Sequence, residues 1–131
     1  MTLERLTGSP ERPLDAPLLT FDISALLAQM KQESTWQTGN RNAITLLKAQ
    51  GLRVVLVAMH AGTVIPIHHA DGPIAVQVVE GRLVFSAESR NVTLGQGQLL
   101  TLQPRIPHGL EAIGECAYLL TIASGTPHPA E

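Results

Sequence analysis

The feature that most constrains the fold is a series of short apolar segments between residues 41 and 123, each ended by turn-forming residues such as Gly-Gln-Gly or Asp-Gly-Pro. Their lengths are those of β-strands, and no helix-length periodic segment interrupts them, which argues against a parallel α/β sheet. Short strands at regular intervals are typical of a sandwich or barrel. The predicted strands cover residues 41–48, 52–59, 74–80, 82–87, 91–94, 98–102, 110–113 and 117–123.

Two of these segments, "RVVLVAM" and "IAVQVV", are apolar on both faces of the predicted strand. A strand with one face in water alternates between apolar and polar residues instead. We therefore expect the outer face of the sheet to be covered, by the N-terminal region, by a second copy of the chain, or by both. A homodimer is expected on this ground.

The N-terminal region differs from the rest of the chain. Repeated prolines at positions 10, 13 and 17 exclude a long helix and favour an extended arm. One short helix follows, with Asp22 as its N-cap and an apolar stripe formed by Ile23, Leu26, Leu27 and Met30. The predicted organisation is an arm and short helix over residues 1–38, a β-barrel over residues 39–124, and a flexible tail over residues 125–131, which contains His128.

Composition excludes several classes of function. A net charge of −2 and an aromatic content of 3% give neither the basic patch nor the stacking platforms that nucleic-acid binding needs. No apolar run reaches the ~18 residues of a membrane span. The single cysteine, Cys116, lies in an apolar strand and is interpreted as an inert buried thiol. We expect a cytoplasmic protein with no nucleic-acid or membrane partner.

The chemistry-bearing residues are histidines. His68 and His69 are adjacent in "IPIHHADGPI", and His108 follows a proline-rich loop. Because successive side chains of a strand point to opposite faces, an inward His68 predicts an outward His69, unless a bulge turns both inward. Tyr118 is interpreted as a packing residue, with a place in the barrel lining as the alternative. Arg105 is interpreted as a solvated loop arginine, with a contact to a carboxylate ligand at the barrel mouth as the alternative. No G-x-S-x-G, phosphate-loop, Rossmann or C-x-x-C motif occurs in the sequence.

The segment around His68 resembles the first motif of the cupin superfamily, G-x5-H-x-H-x3-4-E-x6-G. Gly62, His68 and Gly81 stand at its first glycine, first histidine and last glycine. The second histidine position is Ala70 and the glutamate position is Ile74.

A second stretch, "GQLLTLQPRIPHGLEA", resembles the second cupin motif, G-x5-P-x-G-x2-H-x3-N. Gly97 and His108 match it, whereas Gln103, Arg105 and Ala112 replace the proline, glycine and asparagine. The resemblance implies an all-β, cupin-type double-stranded β-helix (a jelly-roll barrel), in which the motif histidines and glutamate point inward and hold a divalent metal.

Only His68 and His108 remain of the four metal ligands that the resemblance implies. A first-row metal needs three or more protein ligands to be held firmly, so we expect weak binding of Fe, Mn, Ni or Zn, if any. The sequence therefore predicts a small-molecule-binding barrel whose pocket is lined by His68, Ile74, Val76, Val78 and His108. The alternative is a metal-dependent cupin enzyme, of dioxygenase or isomerase type, that uses His68 and His108.

Overall fold

The computed structural model describes residues 12–124, and within them it contains two helices and nine strands. The elements in chain order are α1 (Ile23–Met30), α2 (Ser34–Thr38), β1 (Arg41–Ala49), β2 (Leu52–Met59), β3 (Val64–His68), β4 (Ile74–Glu80), β5 (Arg82–Ala87), β6 (Arg90–Gly95), β7 (Leu99–Leu102), β8 (His108–Ala112) and β9 (Cys116–Ala123). The predicted fold class, an all-β jelly-roll barrel, is confirmed.

The strands form two antiparallel sheets that face each other. One sheet has the order β1-β2-β9-β4-β7 and the other the order β3-β8-β5-β6. Neighbours in each sheet are distant in sequence, as in β4 beside β9 and β3 beside β8. The main core lies between the sheets and includes the fully buried Met59, Val78 and Leu83.

The outer face of the five-stranded sheet is covered by the two helices. Leu27 and Met30 of α1 and Trp36 of α2 form a second core with Leu56 and Ala58 of β2. This cover explains why the central strands are apolar on both faces, so the pattern does not by itself require a second subunit. The homodimer stays a prediction.

Local chemistry fixes the position of the N-terminal region. The Asp22 side chain accepts a hydrogen bond from the Ala25 backbone N–H (3.1 Å) and caps α1, as the sequence predicts. Ahead of α1, the Leu14 carbonyl accepts a hydrogen bond from the Lys48 N–H (2.8 Å), which holds the chain along β1. Residues 1–11 of the predicted arm and the predicted tail 125–131, with His128, lie outside the described residues.

Two elements were not predicted. The sequence indicates one short helix, but α2 is a second one of 5 residues, too short to show helical periodicity. Strand β3 was also missed, because Pro66 interrupts it and its apolar residues do not alternate regularly. None of the helices in residues 12–124 is long and apolar enough to cross a membrane.

Candidate functional site

A small cavity of about 70 Å³ lies between the two sheets, at the end of the barrel where β3 and β8 pair. One wall comes from β4 and β9, and the other from β3, β8 and β5. Its lining is Ile65, His68, Ile74, Val76, Phe85, His108, Leu110, Tyr118 and Leu120. Apart from the two histidines and the tyrosine hydroxyl, this surface is apolar.

The structure brings together four of the five predicted pocket residues. His68, Ile74, Val76 and His108 line the cavity, and Val78 does not. Val78 shares the inward face of β4, pairs with Tyr118 of β9 and is fully buried in the core. Alternation along a strand identifies the inward face, whereas the depth at which a cavity closes depends on the opposite wall.

Sequence reasoning gave Tyr118 as a lining residue only as an alternative, and it missed Ile65, Phe85, Leu110 and Leu120. Their positions along the strands carry a signal. Phe85, for example, lies two residues after the buried Leu83 and therefore on the same inward face of β5. The alternation of a strand identifies its inward residues but does not show which inward residues of distant strands come together. That depends on the pairing of β8 with β3 and β5.

A β-bulge decides which histidine faces inward. The pairing of β3 with β8 shifts by one residue between Ile65 and His68, so both of these side chains face the interior although three positions separate them. Ile67 consequently faces outward and is 66% exposed. His69 is exposed and does not line the cavity.

Gly109 on β8 makes room for this bulge. A Cβ atom at position 109 would lie 3.1 Å from both the Ile65 carbonyl oxygen and the Ile67 side chain. A residue with a Cβ atom at this position would require the backbone of β3 near Ile65 to shift by a few tenths of an ångström.

The hydrogen bonds of the two histidines define their tautomers. The Nδ1 atom of His68 lies 2.8 Å from the Pro66 carbonyl oxygen, and that of His108 lies 2.9 Å from the Ile106 carbonyl oxygen. A carbonyl oxygen only accepts, so each Nδ1 carries the proton and donates it. Each neutral ring therefore keeps a lone pair on Nε2, and no side chain or backbone group of residues 12–124 hydrogen-bonds to either Nε2.

The two rings are close neighbours in different environments. Their centroids are 4.4 Å apart with an interplanar angle of 59°, and His108 is also stacked on Phe85 at 5.2 Å. His108 is only 3% exposed, whereas His68 is exposed at the mouth. Burial lowers the pKa of His108 in spite of its bond to Ile106, and the nearby His68 and His69 lower it further. The His108 ring is thus neutral at neutral pH.

Tyr118 is the third lining residue that carries a polar group. Tyr118 is 2% exposed, and burial raises its pKa, so that the hydroxyl stays protonated. It offers one hydrogen-bond donor and an acceptor, in contrast to the two acceptors of the histidine pair.

The residues of this cavity do not fit a firmly held metal ion. The two Nε2 lone pairs are suitable ligands, but Ala70 and Ile74 stand where the resemblance implies the other two. No group of three or more His, Cys, Asp or Glu side chains placed to hold a metal ion occurs in the described part of the chain. Two neutral nitrogen ligands supply no charge to offset that of the metal and leave most of its coordination sphere to other molecules.

The remaining polar groups of the barrel region serve packing. Lys31, the C-cap residue of α1, forms ion pairs with Glu80 and, at 2.8 Å, with Glu115, and so connects the end of the helix to the barrel. The Nε2–H of His60 donates to the Trp36 carbonyl (2.8 Å), and the two rings stack at 3.6 Å. Burial raises the pKa of the Cys116 thiol to about 11, aided by Glu80 and Glu115, so the thiol is protonated and unreactive at neutral pH.

Comparison with known proteins identifies the fold family. The family model of the cupin domain matches residues 55–128. Among solved structures, a conserved protein of unknown function from Streptococcus pyogenes superimposes with a TM-score of 0.67 at 18% identity, covering 92% of this chain and 99% of that one. A variant of salicylate 1,2-dioxygenase from Pseudoaminobacter salicylatoxidans gives a TM-score of 0.73 at 15% identity, covering 92% of this chain and 39% of that one.

A DMSP lyase from Ruegeria pomeroyi is also similar, with a TM-score of 0.62 at 16% identity, covering 73% of this chain and 52% of that one. At these identities the likeness shows the fold alone, because one fold hosts many chemistries. No curated protein sequence matches the chain.

Proposed function

Because this chain belongs to the cupin superfamily, we propose that its barrel binds a small, largely apolar molecule that carries a hydroxyl group, with His68 and His108 as the polar anchors. The observation that carries the proposal is that neither Nε2 atom of the two histidines has a hydrogen-bond donor within residues 12–124, in a cavity whose other lining residues are apolar except for Tyr118. Because each free Nε2 accepts a hydrogen bond, the pair favours a ligand that donates one.

The size of the cavity limits the ligand. A volume of about 70 Å³ is well below the ~300–1,000 Å³ of a typical ligand pocket. Only a few non-hydrogen atoms enter it, and a larger ligand extends outward past the exposed His68.

The test is binding of 2-butanol against 2-butanone by ligand-observed NMR and calorimetry. The two molecules have the same skeleton, but only the alcohol donates a hydrogen bond. The alcohol is expected to bind about tenfold more tightly, which corresponds to about 1.4 kcal/mol for the hydrogen bond that the ketone lacks. The preference should disappear in His108→Leu and persist in His69→Leu, which removes the exposed neighbour. Equal binding of alcohol and ketone, or a preference that survives in His108→Leu, would refute the proposal.

A second candidate is a metal-dependent cupin enzyme of dioxygenase or isomerase type. One observation favours it, since a histidine that donates Nδ1–H to a backbone carbonyl has the tautomer that a metal ligand requires. We place this candidate second because Ala70 and Ile74 stand at two of the four metal-ligand positions that the resemblance implies. Elemental analysis of protein purified without a histidine tag separates the two: metal near one per chain, lost in a His68→Leu/His108→Leu double variant, would favour the enzyme.

A further inference from the structure

Arg105 occupies a strained backbone position beside the cavity. Its φ is +62°, in the left-handed region that residues with a Cβ atom rarely adopt. The matching position of the second cupin motif is a glycine, which has no such strain. A residue held in a sparsely populated conformation next to a candidate site motivates a functional hypothesis.

The loop of Arg105 is anchored to the segment that follows His68. The Arg105 N–H donates to the Ala70 carbonyl oxygen at 2.7 Å, and its guanidinium donates to the Asp71 carbonyl oxygen at 3.3 Å. Arg105 also lies only three residues before His108. The arginine is therefore placed at the end of the barrel where the histidine pair lies.

The guanidinium retains most of its capacity to bind. The long bond to Asp71 is its only side-chain hydrogen bond to a group within residues 12–124, and Arg105 is exposed. A guanidinium has five N–H donors in a planar fork that matches the two oxygens of a carboxylate. No ion pair in the described part of the chain engages it.

The cavity and the arginine impose complementary demands on one ligand. The cavity admits a short apolar group, and the two Nε2 atoms accept a hydrogen bond from a donor. The cavity walls carry no Asp, Glu, Lys or Arg side chain. A charge on the ligand would therefore be met outside the cavity, and Arg105 is the cationic residue whose backbone is bonded to the segment that follows His68.

We propose that Arg105 is a specificity-determining residue that selects short-chain hydroxycarboxylates, with the hydroxyl on His68 and His108, the alkyl end in the cavity, and the carboxylate on the Arg105 guanidinium. This inference rests on the proposed function, since it names the substrate class of the same site. It accounts for an arginine where the motif has glycine, because a guanidinium at this position can bind a carboxylate and glycine cannot.

The test uses 2-hydroxybutyrate and 2-hydroxybutyramide, which share skeleton and hydroxyl and differ in charge. The wild-type protein is expected to bind the acid about tenfold more tightly, and Arg105→Gln to bind both equally. Arg90→Gln, which removes an exposed arginine from β6, should retain the full preference. High salt should reduce the preference of the wild type, because the contact is exposed to solvent.

Arg105→Gly provides a readout that a merely structural role would not produce. Glycine adopts the left-handed conformation without strain. This variant should therefore unfold at the same temperature as the wild type or higher, while losing the preference for the acid. It also keeps the test valid if Arg105→Gln folds poorly.

The possible failures are distinguishable. If the acid and the amide bind the wild type equally, or if the preference survives in both Arg105 variants, the role of Arg105 is overturned while the hydroxyl-binding site stands. If neither 2-butanol nor 2-hydroxybutyrate binds, the proposed function itself fails and the inference fails with it.

Discussion

The two faces of the five-stranded sheet are both apolar, but the polar groups that accompany them are handled differently. On the outer face, Asn42 donates to the Met30 carbonyl (3.0 Å) and to the Glu33 carboxylate (2.9 Å), and His60 donates to Trp36. The inner face is opposed by the four-stranded sheet, whose His68 and His108 line the cavity between the sheets and each donate from one ring nitrogen to a backbone carbonyl.

This difference separates structural polar groups from binding groups. Buried polar groups in a folded protein are normally satisfied by hydrogen bonds, because an unsatisfied group costs free energy. The outer-face residues follow that rule and hold α1 and α2 on the barrel. The histidines on the inner side differ, because their Nε2 atoms have no hydrogen-bond donor within residues 12–124 and are left to water or a ligand. Substitutions should therefore reduce stability on the outer face and binding on the inner face.

The largest effect is expected from Trp36→Ala. Trp36 is 6% exposed, packs in the core beneath the helices and stacks on His60 at 3.6 Å. Its removal should lower the free energy of unfolding by about 3–5 kcal/mol, measured by chemical denaturation. Leu18→Ala is the control, since Leu18 is 82% exposed and its truncation should change stability little. A loss below 1 kcal/mol for the tryptophan variant, on the order of an ordinary surface substitution, would show that α2 does not contribute to a fixed outer core.

Asn42→Ala should have the next largest effect. Its side chain is buried and satisfies the Met30 carbonyl at the end of α1. The variant removes the hydrogen bonds of Asn42 to the Met30 carbonyl and the Glu33 carboxylate, and although the carbonyl still accepts from the Glu33 N–H (3.2 Å), the loss should cost about 1–3 kcal/mol of unfolding free energy. Asn91→Ala, at an exposed position, supplies the matched control. Equal denaturation midpoints for the two variants would contradict the structural role of Asn42.

On the inner face, His108→Leu should change the unfolding free energy at neutral pH by about 1.5 kcal/mol or less, because the replacement has similar volume and suits an apolar cavity. The effect of His108→Leu on the unfolding free energy should appear at acidic pH. Burial lowers the pKa of His108 below its ordinary value of 6.5, so below that pH the unfolded chain binds more protons than the folded one. Wild-type stability should fall as the pH drops below 6.5, and the fall should be smaller in His108→Leu. Superimposable pH profiles, measured by thermal unfolding, would count against a buried neutral ring.

The smallest effect is expected from Lys31→Met, on the outer face. Its ion pairs with Glu80 and Glu115 are partly exposed, with side-chain exposures of 25%, 36% and 49%, so their loss should cost about 1 kcal/mol or less. Burial alone would lower the pKa of Lys31, but the hydrogen bonds and charges of Glu115 and Glu80 raise it above 10.5. The contribution of the Lys31 ion pairs to the unfolding free energy should be fully present below pH 10.5. It should be lost as the pH rises through the higher pKa that Lys31 has in the folded state. Exposed Lys48→Met is the control in denaturation at several pH values.

Much of the fold could be predicted because the strands are regular. Strands β2, β4 and β5 have the predicted bounds, since turn residues mark both of their ends. Strand β3 escaped because Pro66 and a bulge disrupt its alternation, and α2 escaped because its helical pattern is too short. Local sequence carries little signal for either feature, which tertiary pairing and packing determine.

The candidate site was predictable in part. The two motifs identify His68 and His108, and strand parity identifies Ile74 and Val76. Alternation also indicates Val78, which does not line the cavity. It cannot show that Phe85 and Tyr118, which belong to other strands, lie beside these residues. The bulge that turns His68 inward depends on Gly109 of the neighbouring strand, a contact between residues that are distant in sequence.

The tautomers of the histidines test the central claim most directly, and long-range ¹H–¹⁵N NMR of the imidazole rings at neutral pH measures them. His68 and His108 should both be protonated on Nδ1 with a bare Nε2, whereas His60, which donates from Nε2 to Trp36, should show the opposite tautomer and serve as the internal reference. Addition of 2-hydroxybutyrate should shift the Nε2 signals of His68 and His108 alone. If His68 and His108 instead carry their protons on Nε2, the cavity holds no pair of open acceptors, and the account of the inner face as a binding surface is wrong.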